Sequence, residues 1–108
     1  MPEIKELLDE LDKIEQEAPS IGDGFQAREP KAIAQDLRRS ITQCDYPSLV
    51  QAMGNIGIQR GRRWAGDPNL KSEAIEEVLY KLSGVAFSIA YGLPQFCACR
   101  YPQKPHQS

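Results

Sequence analysis

The sequence predicts an all-α fold, a small bundle of about four helices with a long C-terminal central helix and an extended tail. Three observations predict it. Apolar residues recur at three- and four-residue spacing in four separate stretches. Breaker-rich segments such as Ala18-Pro-Ser-Ile-Gly-Asp-Gly24 and Gly66-Asp67-Pro68 fall between them. The last stretch carries one continuous stripe: Ile75, Val78, Leu79, Leu82, Val85, Ala86, Ile89 and Ala90. With 108 residues, the chain forms one domain over 1–93, followed by a tail over 94–108.

The first helix is expected over 3–17. Ile4, Leu7, Leu8, Leu11 and Ile14 line one face, and Pro2 suits a helix start. An isolated helix this short is marginal in water, so its stripe must dock on this chain or on a partner. The loop after it offers Ile21 and Phe25 as plugs for the core. Pro30 opens a second helix, 30–43, with Ile33, Ala34, Leu37 and Ile41 inward, and Asp45-Tyr-Pro47 breaks it.

Ser48 and Gln51 match a capping box and start the third helix. Its apolar residues are Leu49, Val50, Met53, Ile56 and Trp64. Beyond Gly54 a second pattern competes: Ile56, Ile58, Arg60, Arg62 and Trp64 alternate at period two. The alternative is therefore an α+β fold with a short hairpin near 56–64. The fourth helix is expected over 68–91, with Asp67 as N-cap, Pro68 at the first position and a Glu77–Lys81 pair along it. Tyr91-Gly92-Leu93-Pro94 reads as its stop signal.

Three groups of residues invite a functional reading. Gly54, Gly57 and Gly61 share one side of the third helix. Each lowers helix stability by roughly 1 kcal/mol relative to alanine. Close packing of another backbone, within the domain or across a dimer, would offset that, and Gly57-x-x-x-Gly61 is a spacing that permits such approach. An irregular bend is the blander reading. No phosphate-cradling Gly-Lys-Ser/Thr or Gly-x-Gly-x-x-Gly pattern is present.

The second group is Arg38, Arg39, Arg60, Arg62, Arg63 and Trp64, a plausible phosphate-and-base surface if the second and third helices form an antiparallel hairpin. It is equally a surface for acids. Residues 1–29 hold nine acids and three bases, whereas 30–66 hold six bases and two acids. The formal net charge of −2 does not call for nucleic acid.

The third group lies on the fourth helix, which carries no charge from Leu82 to Leu93. Tyr80, Gly84, Phe87 and Tyr91 define a face distinct from the core stripe, with Phe96 following in the tail. Either other helices cover this half on all sides, or it is an aromatic docking surface.

Catalytic and metal signals are weak. Cys97-x-Cys99 with Cys44 and His106 makes an unorthodox zinc set, so no metal and no cofactor is expected. His106, the single histidine, sits in the tail, which removes the usual nucleophile–histidine pairs. Three cysteines without a disulfide-scaffold pattern, and no visible secretory signal, read as reduced thiols in the cytoplasm. No segment is apolar enough for a membrane.

The function expected is a non-enzymatic protein-interaction module: a small regulator, adaptor or inhibitor that binds a copy of itself or another protein. This profile is common among small accessory proteins of phages and mobile elements. The alternative is a small nucleic-acid-binding protein using the arginine and tryptophan surface.

Overall fold

The computed structural model describes residues 3–22 and 24–97 and is all-helical over them, with no strand among the described residues. Four α-helices follow in order: α1 (Ile4–Glu17), α2 (Pro30–Thr42), α3 (Tyr46–Trp64) and α4 (Glu73–Phe96). Short 3-10 turns at Gln26–Arg28 and Pro68–Leu70 precede α2 and α4. The hairpin alternative is excluded, because 56–64 is continuous helix.

One core runs through all four helices. Leu7, Leu11 and Ile14 of α1 meet Ile33, Ala34, Leu37 and Ile41 of α2, Leu49, Ala52 and Ile56 of α3, and Val78, Leu82, Val85, Ala86, Ile89 and Leu93 of α4. The stripe of α1 thus docks within its own chain. A satellite cluster of Ile21, Leu70, Ile75 and Leu79 closes the end where the long loop meets the start of α4.

The loops are fixed by specific bonds. The buried Glu29 carboxylate accepts from the Ile21 amide at 2.8 Å and from Ser20 Oγ at 3.2 Å. The buried Gln59 donates to the Arg28 carbonyl at 2.9 Å, and Asn55 to the Ala27 carbonyl at 3.2 Å. Phe25, expected as a core plug, is exposed and lies under the Arg28 guanidinium at 4.4 Å.

Helix ends depart from the expected caps in three places. Asp45, not Ser48, is the N-cap of α3: its carboxylate accepts from the Ser48 amide and hydroxyl. Asp45-Tyr-Pro47 therefore starts a helix rather than merely ending one. Asp67 caps the 3-10 turn by accepting from Asn69, and Ser72 caps α4 by accepting from Ile75. The expected start at 68 splits into these two pieces. Ahead of both, Gly66 takes a positive φ of 91°, and the bonds Gly66 N–H to Arg63 O and Asp67 N–H to Arg62 O close α3 as a Schellman motif.

The expected stop at Tyr91-Gly92-Leu93-Pro94 is overrun. Helix α4 continues to Phe96, with Cys97 as its C-cap. Gly92 is buried and does not turn the chain; the Phe96 ring sits where its side chain would be, 2.5 Å from an added Cβ. The rest of the expected tail, 98–108, lies outside the described residues.

Cys44 and Cys97 form a disulfide spanning 53 residues of sequence. The reading of these two thiols as reduced is thereby corrected. It missed the pairing because 53 residues separate the partners, and only the antiparallel return of α4 beside α3 brings them together. The bridge joins the turn before α3 to the end of α4.

Closing so long a loop constrains the unfolded chain, so Cys44→Ala should lower unfolding stability by about 2–4 kcal/mol. Urea titration of the oxidised protein and the variant measures it; equal midpoints would show the bridge to be energetically idle.

Candidate functional site

Helices α3 and α4 run antiparallel. Cys44 meets Cys97 at one end, Arg60 Nη1 donates to Ser83 Oγ at 3.0 Å midway, and Arg63 pairs with Glu76 at 2.8 Å near the other. This register lays the N-terminal half of α3 beside the C-terminal half of α4. Both halves are free of charge: none occurs over 46–59 or over 82–96. The α4 half was visible in the sequence. The α3 half was not singled out, although the absence of Asp, Glu, Lys and Arg over 46–59 is plain in the sequence.

Between them opens a cleft of about 360 Å³ lined by Tyr46, Leu49, Val50, Met53, Ala90, Leu93 and Pro94. Every one of these side chains is uncharged, and all but the Tyr46 hydroxyl is apolar. Pro94 adds a local irregularity, since it has no N–H to bond the Ala90 carbonyl in the preceding turn.

The ring row on α4 is distinct from the cleft lining, and Tyr80, Gly84 and Phe87 border a groove shared with Glu6, Leu7 and Glu10 of α1. Tyr80 is 72% exposed, Phe87 61% and Tyr91 70%; Tyr46 and Trp64 on α3 are 54% and 92% exposed. Phe87 and Tyr91 stack against each other with ring centroids 5.4 Å apart. Gly84, between Tyr80 and Phe87, is also exposed. Phe96 does not belong to this row: it is half-buried and packs against the core. Five residues after Tyr91, it lies about 140° round the helix.

Three of the apolar residues of α3 face outward. Val50, Met53 and Trp64 are exposed, while Leu49, Ala52 and Ile56 form the buried stripe. The true stripe includes the small Ala52, which a search for large apolar residues passes over.

The glycine row is exposed as well. A Cβ built at Gly54, Gly57 or Gly61 meets nothing within 4 Å, so no backbone of this chain packs against the row. Close packing within the domain is thereby corrected: the row points away from α2 and α4. Nor is it a bend, since the helix runs through all three.

The arginines are divided by the same hairpin that was expected to gather them. The turn at 43–45 reverses the chain, so Asn55 and Gln59 reach Ala27 and Arg28, and Arg60–Arg63 lie at the opposite end of the hairpin from Arg38. Arg38 instead crosses to α1, bonding Glu15 at 2.9 Å and Asp12. Desolvation opposes its charge, but the hydrogen bonds and attraction of Glu15 and Asp12 outweigh that and raise its pKa. Arg39 pairs with Asp36 at 2.6 Å and Arg62 with Asp67 at 2.6 Å. Arg63 bonds the Leu70 and Ser72 carbonyls as well as Glu76, tying the end of α3 to the start of α4.

Among the described residues, no group of three or more His, Cys, Asp or Glu is placed to hold a metal. Cys44 and Cys97 are committed to each other, and Cys99 and His106 lie outside the described residues. No helix among the described residues is long and apolar enough to cross a membrane. Comparison with family models, with curated proteins and with solved structures finds no match.

Two outcomes follow for the side chains reassigned here. Gly61→Ala should raise unfolding stability by up to about 1 kcal/mol, since the methyl group meets nothing and the helix gains propensity; a lower melting temperature would contradict the open space. Arg63→Ala should lower stability by about 1–3 kcal/mol by stranding carbonyls at the 3-10 turn, against about 0.5 kcal/mol for Arg60→Ala. Equal effects in parallel denaturation curves would refute a structural role for Arg63.

Proposed function

We propose that this chain is a non-enzymatic protein-interaction module, a small regulator, adaptor or inhibitor that docks another polypeptide on its α3–α4 face. One observation carries the reading: an uncharged cleft opens between α3 and α4, and these same two helices carry five exposed aromatic rings. An apolar patch larger than a few hundred Å² is unusual on a monomer and marks an interaction surface. Tyrosine and tryptophan, which give Tyr46, Trp64, Tyr80 and Tyr91 here, are the residue types enriched where interfaces concentrate their binding energy.

A nucleic-acid role has no comparable support. Four of the guanidiniums in the arginine group bond to carboxylates of their own chain, and each such bond would have to be exchanged for a phosphate. The absence of basic residues from the cleft also removes the usual steering field. As to location, the Cys44–Cys97 bridge weighs against the reducing cytoplasm expected from the sequence, because such bridges persist in oxidising surroundings.

A photo-crosslinking residue placed at Phe87 should join the chain to another polypeptide, whereas one placed at the exposed Gln35 on α2 should not. Phe87→Ser with Tyr91→Ser should abolish that product while leaving the far-ultraviolet circular dichroism unchanged. Equal crosslinking from both positions, or persistence of the complex in the double variant, would refute this surface.

A further inference from the structure

We propose that the Cys44–Cys97 bridge is a redox latch on the uncharged cleft: reduction by a dithiol, entering at Cys44, releases the last turn of α4 and with it one wall of the cleft. The latch acts whatever the cleft binds.

The last turn of α4 is held against its local preference. Gly92, Leu93 and Pro94 form a stop signal, and Pro94 has no N–H for the Ala90 carbonyl. The helix nevertheless runs on to Phe96, and the buried Cys97 closes it with its amide on the Leu93 carbonyl at 2.8 Å. Leu93 and Pro94 of this turn line the cleft, and Tyr46 lines it from α3, two residues after Cys44. The bridge therefore ties one wall of the cleft to the other.

The other end of the bond is also held. Cys44 has a φ of 51°, and it is the one non-glycine with a positive φ among the described residues. It follows the C-cap of α2, a position that glycine fills without steric cost. A side chain stays in this conformation only where its surroundings impose it. Here the bond to Cys97 does so. The bridge thus opposes local preference at both ends, and cutting it lets both relax.

Exposure sets the point of entry. Cys97 is 2% exposed, whereas Cys44 is half-buried and is the partner that meets solvent. One thiolate of the dithiol attacks Cys44 Sγ. The bond to Cys97 breaks, and Cys97 leaves as a thiolate and takes a proton. The second thiolate of the reagent then attacks the reagent's own sulfur in the mixed disulfide, closing the oxidised dithiol and releasing Cys44, which is protonated in turn. Two electrons pass from the dithiol to the bridge.

Amide hydrogen exchange on the full chain tests the latch, with Cys99→Ser so that only the bridge thiols react. In the oxidised protein the amides over 93–97 should be protected. After reduction by dithiothreitol they should exchange at least about tenfold faster and approach the rate of an unstructured peptide, while those over 78–89 stay protected. Cys44→Ser with Cys97→Ser should match the reduced protein and ignore dithiothreitol. Unchanged protection over 93–97 after reduction would overturn the latch. So would loss of protection along the whole chain, which would make the bridge a support of the entire fold. Glutathione followed by alkylation should leave glutathione on Cys44 and the alkyl group on Cys97; the reverse would overturn entry at Cys44. No binding partner enters these measurements, so their failure leaves the docking reading untouched.

Discussion

Helix α4 has more apolar circumference than its three neighbours can cover, and the rest of the molecule is arranged around that mismatch. Leu82 and Ile89 are wholly enclosed, with Val78, Val85, Ala86 and Leu93 nearly so. Helices α1, α2 and α3 have 14, 13 and 19 residues against the 24 of α4, and they can surround only one side of it. Burial of a large aliphatic side chain contributes about 1.5–3 kcal/mol, so the Leu82 stripe goes inward and sets the rotation of the helix. Tyr80, Phe87 and Tyr91 are left on the far side. Their exposure follows from that rotation and needs no separate cause.

Both ends of the α3–α4 pair are pinned by chemistry stronger than surface contact. At one end the Cys44–Cys97 bridge links the turn before α3 to the last turn of α4. At the other, Arg63 bonds two carbonyls and a carboxylate across the 3-10 turn. The cleft between Val50, Met53, Ala90 and Pro94 lies near the covalent end. Its walls are therefore held at a fixed spacing, which lowers the ordering entropy that any occupant must overcome.

The acidic arm and the basic middle meet where Arg38 crosses to Asp12 and Glu15. Pairs at this degree of exposure contribute little to stability, about 0–1 kcal/mol each. Their consequence is chiefly one of register: they fix how α1 lies on α2 and commit Arg38 to carboxylates of its own chain. The acidic arm and the basic middle are thus joined through Arg38, while the uncharged stretches of α3 and α4 lie side by side.

The sequence by itself determined the number of helices and the inward stripes of α1, α2 and α4, because a period near 3.6 leaves one buried face whatever lies against it. It also determined that Tyr80, Phe87 and Tyr91 share a face apart from that stripe. Four matters were decided by the tertiary structure. The end of α4 passed Gly92 because Leu93 and Cys97 are buried against the core and Cys97 is bridged to Cys44, packing that lies outside the local stop signal. The rotation of α3 placed Ala52 inside and Val50 and Met53 outside, because the position of α2 and α4, rather than side-chain size, selects the buried face. The arginines separated because an antiparallel hairpin sends its two ends apart. And Cys44 found Cys97, and one uncharged half found the other, because chain reversal brings together residues whose separation in sequence carries no trace of their nearness in space.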